Sequence, residues 1–133
     1  MSDQRPFLHA ESPQEHARLF LDAFNAGDLD ALDRIYTSDA IAVWEPGNPL
    51  SGQARADALR EFLAWKPRMT AELRESFVAG DTALLIVDWS IDIPAPDGVE
   101  RMNGTGVDVL RRGADGAWRF AVDNPFGGAP PAA

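Results

Sequence analysis

The chain has 133 residues, 45% of them hydrophobic and 25% charged, the size and make-up of one packed domain that buries roughly two-thirds of the surface its unfolded form exposes. Its 21 acidic against 12 basic residues give a net charge of −9, which repels phosphate backbones and anionic lipid and argues against a nucleic-acid or membrane partner. With no cysteine, the sequence excludes disulfides, thiolate nucleophiles and thiolate metal sites.

Met1 to Ala10 contains no apolar run of signal-peptide length, and no apolar run of about eighteen residues occurs anywhere. The expected location is cytoplasmic, with a flexible segment over 1–11, a folded domain over 12–126 and a flexible Gly/Pro/Ala tail over 127–133. The first helix starts at Ser12, where Ser-Pro-Gln-Glu sets a capping box, with Pro13 at the first helical position and Glu15 reaching back. Ala17, Phe20, Leu21 and Phe24 recur at helical spacing, and Gly27 supplies a left-handed stop. Asp28 caps a second helix whose buried side is Leu29, Leu32, Ile35 and Tyr36, ending at Thr37-Ser38-Asp39. Ile41 to Glu45 reads as a strand stopped by Pro46-Gly47-Asn48-Pro49, and a third helix runs from about Gly52 to Lys66, before Pro67.

From Thr70 the period changes to two, giving strands over Thr70–Val78, Ala83–Ile93, Val99–Arg112 and Ala117–Asn124, joined by turns short enough for hairpins. Gly104 and Gly106 suggest a bend or bulge. The order α-α-β-α-β-β-β-β predicts an α+β fold with three helices on one face of a curved, mostly antiparallel sheet. Leu85, Val87, Trp89 and Ile91 on one face of the second long strand, with Leu84 and Ile86 on the other, leave both faces wanting cover. A homodimer is the expected solution, since a lone copy would expose Trp89.

Phe20 to Asp30, and most closely Asn25-Ala26-Gly27-Asp28, is similar to the junction of the first two helices in bacterial ketosteroid isomerases. The likeness continues through Tyr36-Thr37-Ser38-Asp39-Ala40, Val43-Trp44-Glu45-Pro46, Arg60-Glu61-Phe62 and Asp108-Val109-Leu110-Arg111. The chain thus resembles the ketosteroid isomerase and SnoaL-like branch of the nuclear transport factor 2 superfamily, with the ending Trp118 to Phe126 most like SnoaL-like bacterial proteins. The resemblance implies a cone-shaped domain around a pocket for a small-molecule ligand, without cofactor. It covers isomerases, cyclases and dehydratases acting on small carbonyl compounds, as well as binding proteins, so a non-catalytic dimeric binder of a ligand or partner is the alternative.

By this resemblance Glu45 falls where the isomerases carry the carboxylate that moves a proton between carbons, and Asp108 where they keep a neutral aspartic acid to hydrogen-bond a developing enolate. Read from the residues alone, Glu45 is equally a solvated strand-end glutamate. Asp108, between Val107 and Val109, is a carboxyl that tends to protonate unless an arginine pairs with it. Alternation with the alignment sets Leu84, Ile86, Asp88 and Ser90 inward, and Ala121 with Asp123, so Asp88 and Asp123 are further pocket carboxylates. They share protons, meet a cation, or close onto Arg74, Arg101 or Arg119. Phe20 stands where the isomerases need a tyrosine hydroxyl, and Trp44 flanks the pocket beside Glu45. Tyr36 reads as helix core and His16 as helix decoration. With two histidines, both early in the chain, no metal site is expected.

Overall fold

The computed structural model describes residues 9–128. The flexible ends expected at the termini lie outside the described residues over 1–8 and 129–133. Three helices, α1 (Pro13–Ala26), α2 (Leu29–Arg34) and α3 (Gly52–Leu63), cover one face of a six-stranded sheet. Its strands are β1 (Tyr36–Glu45), β2 (Asn48–Ser51), β3 (Arg68–Ala79), β4 (Thr82–Ala95), β5 (Gly98–Arg112) and β6 (Trp118–Asp123). They lie in the order β2-β1-β6-β5-β4-β3, with β1 and β6 parallel and every other neighbouring pair antiparallel. The architecture is the α+β cone fold that the sequence predicts.

Local chemistry explains most boundaries. Ser12 Oγ accepts the Glu15 amide at 3.1 Å, while the Glu15 carboxylate reaches back to the Glu11 amide at 2.8 Å, one residue beyond the usual capping-box partner. Gly27 ends α1 in the left-handed region at φ 67°, which costs glycine little. Asn25 then fixes α1 over the sheet, donating to the Met69 carbonyl at 2.9 Å and accepting the Met69 amide at 2.7 Å. Leu32, Leu85 and Leu110 are fully buried at the centre of the core.

Two element readings are corrected. Tyr36 opens β1 instead of closing the second helix, because the Ile35 carbonyl accepts the Phe120 amide at 2.8 Å and draws the chain into the sheet. Asn48 to Ser51 form the short strand β2, where only a turn was expected. Pro49 is tolerated there because β2 is an edge strand, so no neighbour lacks its missing N–H. Ala10 is buried and bridges to Trp118, and Gly128 donates its amide to the Thr105 carbonyl at 2.9 Å.

Gly104 and Gly106 mark no bulge, since the β4–β5 register runs unbroken from Thr82↔Arg111 to Ala95↔Gly98. They mark a close approach. A Cβ on Gly104 would stand 2.9 Å from the Trp89 ring, and one on Gly106 would stand 3.3 Å from Pro125 Cα. The segment after β6 thus lies against β5, and Trp89 Nε1 donates to the Pro125 carbonyl at 2.7 Å with Phe126 edge-on to its ring. Trp89 is buried within a single chain, so its cover is no reason for a second copy.

Candidate functional site: an acid pair in an apolar cavity

Between the helices and the concave face of the sheet lies a cavity of about 790 Å³. Its walls are mainly apolar: Phe20 and Phe24 from α1, Phe62 from α3, Leu85 and Trp89 from β4, and Phe120 from β6. Against this background two carboxyl groups, Asp108 and Asp123, are buried in the wall at 7% and 5% exposure. The ladder explains how they meet. Asp108 pairs with Leu85, one of the inward residues of β4, and directly paired residues share a face. Asp123 ends β6 opposite Ala42 of the parallel strand β1.

Each carboxyl is held by directed hydrogen bonds. Asp123 Oδ2 accepts the Tyr36 hydroxyl at 2.8 Å and Trp44 Nε1 at 3.0 Å. Asp108 Oδ1 accepts the Asn124 amide at 2.9 Å. Each carboxyl raises the cost of ionising the other, so the buried pair favours holding one proton between them. Burial, reinforced by the negative charge of Asp123, pushes Asp108 well above the usual carboxylate range. Burial raises Asp123 as well, but the bonds from Tyr36 and Trp44 and the charge of Arg55 oppose it. With two side-chain donors on Asp123 Oδ2 and one backbone amide on Asp108 Oδ1, the arrangement favours the charge on Asp123 and the proton on Asp108. Tyr36, its own pKa raised by burial and by Asp123, stays a phenol and a donor.

The remaining predicted residues fall into two groups. Glu45 is exposed at the rim of the cavity, Trp44 is half-buried beside it, and Phe20 lies in the wall edge-on to Phe120. Asp88 is not in the cavity, which corrects its expected position. The inward face of β4 carries Leu85, Val87, Trp89 and Ile91, so Asp88, one residue out of phase, projects from the opposite face. There it accepts Thr105 Oγ1 at 2.8 Å and pairs with Arg74 at 3.3 Å. The strand arginines are engaged elsewhere: Arg101 on Asp92 at 2.6 Å and Arg119 on Asp115 at 2.7 Å. Closure onto a strand arginine thus holds for Asp88, which meets Arg74, and not for Asp108 and Asp123, since none of the three arginines lines the cavity.

On β6, strict alternation fails. Phe120 and Asp123 both line the cavity, three residues apart, because the register shifts against both neighbouring strands.

Three residues of the site escaped the sequence reading. Tyr36 was absorbed into a helical stripe, although Tyr36, Ala40, Ala42 and Trp44 share an even spacing that signals a strand. Arg55 is buried at 6% exposure with its guanidinium carbon 4.1 Å over the Tyr36 ring. A lone arginine in a helix gives no such signal. His16 is fully buried, not surface decoration, with its ring edge-on to Phe120 and Nε2 3.2 Å from the Ile35 carbonyl. Because that oxygen only accepts, Nε2 carries the hydrogen, and burial lowers the pKa to about 4, so the ring is neutral at pH 7. Among the described residues no group of three or more His, Asp or Glu side chains converges as a metal site.

Comparison with known proteins places this geometry. The structure is similar to a conserved protein from Planctomyces limnophilus, with TM-score 0.75 and 20% identity over 83% of this chain and 88% of the other. It is also similar to a candidate dehydratase of the NTF2-like family from Streptomyces avermitilis, with TM-score 0.70 and 19% identity over 81% and 87% of the two chains. A third likeness is to a protein from Thiobacillus denitrificans described as a candidate calcium/calmodulin-dependent protein kinase type II association domain, with TM-score 0.71 and 24% identity over 85% and 92%. At such identities the likeness is one of fold. No curated protein matches the chain. Residues 17–121 match the model of the SnoaL-like domain, a stretch that takes in most of α1, all of α2 and α3, and Asp108 but not Asp123, and the chain belongs to the SnoaL-like family.

Proposed function

We propose that the cavity binds a small, mainly apolar carbonyl compound and moves a proton on it, in the manner of an isomerase, cyclase or dehydratase. The observation that carries this reading is a pair of carboxyl groups, Asp108 and Asp123, buried in an apolar wall, where burial favours the neutral form of Asp108. A neutral acid in such surroundings donates a hydrogen bond to a carbonyl oxygen and holds the negative charge that gathers there when an adjacent carbon loses its proton. Glu45 at the rim takes that proton and returns it to another carbon. Trp44 and Phe20 supply apolar contacts to the substrate. No cofactor enters the step. The domain acts as a homodimer through the outer sheet face, where Phe77, Leu84, Ile86, Val107 and Val109 are ladder neighbours on one side. Among the described residues no helix is long and apolar enough to cross a membrane.

The test uses β,γ-unsaturated cyclic ketones in deuterated buffer, with isomerisation and deuterium uptake followed by NMR. Conversion by the wild-type protein, lowered on the order of a hundredfold or more in both Asp108→Asn and Glu45→Gln, is the expected result. A second reading, binding without turnover, is favoured by Phe20, which stands where the isomerases carry a tyrosine. Ketones that bind but exchange no proton in any buffer would establish that reading and dismiss the first. Light scattering measures the assembly, and a monomer at micromolar concentration would remove the dimer.

A further inference from the structure

Arg55 is a buried cation with little to neutralise it directly. Its side chain is 8% exposed, yet its ion-pair partner Asp33 is 70% exposed and 3.5 Å away, and its Nε has no hydrogen-bond partner. A guanidinium shielded from water in this way is costly unless a buried negative charge lies within its field. The guanidinium carbon lies 4.1 Å above the Tyr36 ring, and the hydroxyl at the far end of that ring is 2.8 Å from Asp123. The buried counter-charge is therefore Asp123, with one aromatic ring between the two ions.

We propose that Arg55 is the positioning residue of the acid pair: its charge, acting across the Tyr36 ring, holds Asp123 as the carboxylate and so leaves the proton on Asp108. Two features of Tyr36 suit it to the task. Its face attracts the cation, and its hydroxyl, polarised by that contact, donates a firmer bond to the carboxylate. Arg55 touches neither reacting group. It acts from α3, outside the cavity lining, beside a separate shallow cleft formed with Asp30, Asp33, Gln53 and Arg60. Its effect on Asp108 is at one remove, because two adjacent carboxyls ionise as a unit and stabilising the charge on one fixes the proton on the other.

The other titratable groups facing the pair do not supply this field. From β1 come Tyr36, a neutral phenol, and Glu45, at the rim; from α1 come His16, neutral and edge-on to Phe120, and Arg18, exposed at the cavity edge. The lining residues of β3 and β4 are apolar. Arg60, the other arginine of the cleft, is paired with Asp57 at 2.9 Å.

This inference deepens the acid–base reading and rests on it only for its consequence in catalysis. The test reads the pair without substrate, so its failure is distinct from failure to find turnover. Carbon-13 NMR of aspartate-labelled protein follows the carboxyl signals with pH, the pair being assigned by signal loss in Asp108→Asn and Asp123→Asn. Arg55→Met is expected to raise the lower of the pair's two ionisation midpoints by about one pH unit or more, and Arg55→Lys, which keeps the charge, to leave it near the wild-type value. Asp33→Asn, an exposed change that leaves Arg55 less neutralised, is expected to lower the midpoint. It decides the matter if Arg55→Met does not fold. An unmoved midpoint in Arg55→Met or in Asp33→Asn overturns the proposal, as does a shift in Arg55→Lys equal to that in Arg55→Met, which would make the role one of shape.

Discussion

Asp108 and Asp92 stand on adjacent strands of one sheet and have opposite fates. Asp108 projects into the concave face, where burial and a second carboxyl favour its neutral form. Asp92 projects from the convex face, opposite Arg101 in the ladder, whose bidentate hydrogen bonds at 2.6 and 3.0 Å pull its pKa down. The residue type is the same. What differs is whether water and an arginine can reach it, and that is decided by the parity of the strand. An acidic protein thus keeps its proton-holding carboxyls on the dry side and its ordinary charges on the wet side.

The contrast breaks most severely if the dry side is opened. Leu110, fully buried two residues beyond Asp108, is a concave-face contact, and Leu110→Ala is expected to cost about 2–5 kcal/mol, read by denaturant unfolding. Gly104→Ala crowds the same side. The new methyl meets the Trp89 ring at 2.9 Å, and a loss of about 1–3 kcal/mol is expected in the same experiment.

Charge removal sharpens the comparison, because the sign depends on the face. Since the folded pKa of Asp108 lies above the unfolded value of about 3.9, the folded state keeps a proton that the unfolded chain releases. Its contribution to stability is fully present below that value and declines as pH rises toward the folded pKa. Asp108→Asn, which copies the protonated form, should therefore stabilise the protein at pH 7, with the gain vanishing near the unfolded value of about 4 in thermal unfolding. A variant less stable than wild type at pH 7 would mean that Asp108 is charged. For Asp92 the folded pKa is depressed, so its contribution is present above the unfolded value and lost as pH falls through the folded one. Asp92→Asn should give a small loss at pH 7 that high salt removes, the least of these effects.

The sequence carried the hairpin meander and the helix caps because those are local: turn residues and hydrophobic period lie within a few positions of what they determine. The pocket carboxyl Asp108 was legible from apolar neighbours on its own strand and from a family resemblance. Asp88 was misplaced by the one quantity that alternation does not give, which of two faces is inward. The unbroken pairing of Leu85 with Asp108 settles that phase, and pairing is a property of two strands. Tyr36 was missed because a stripe at helical spacing ran into the start of a strand. Arg55 could not be seen, since its partner is the face of a ring 19 positions away in the chain that only the packing of α3 on β1 brings near.

The joining of β1 to β6 has a bearing on how the site comes into being. Tyr36 and Asp123 are separated by 87 positions, and the parallel pairing between their strands is the longest closure in the sheet, while β3, β4 and β5 are linked by hairpins. Long closures form late, after local pairings have reduced the entropy of bringing the ends together. As the chain emerges from a ribosome, Asp108 is made before Asp123 and stands beside open water, charged like any other aspartate. What raises its pKa is burial in the closed sheet, so the acid is a property of the assembled fold and not of the residue carried in the chain.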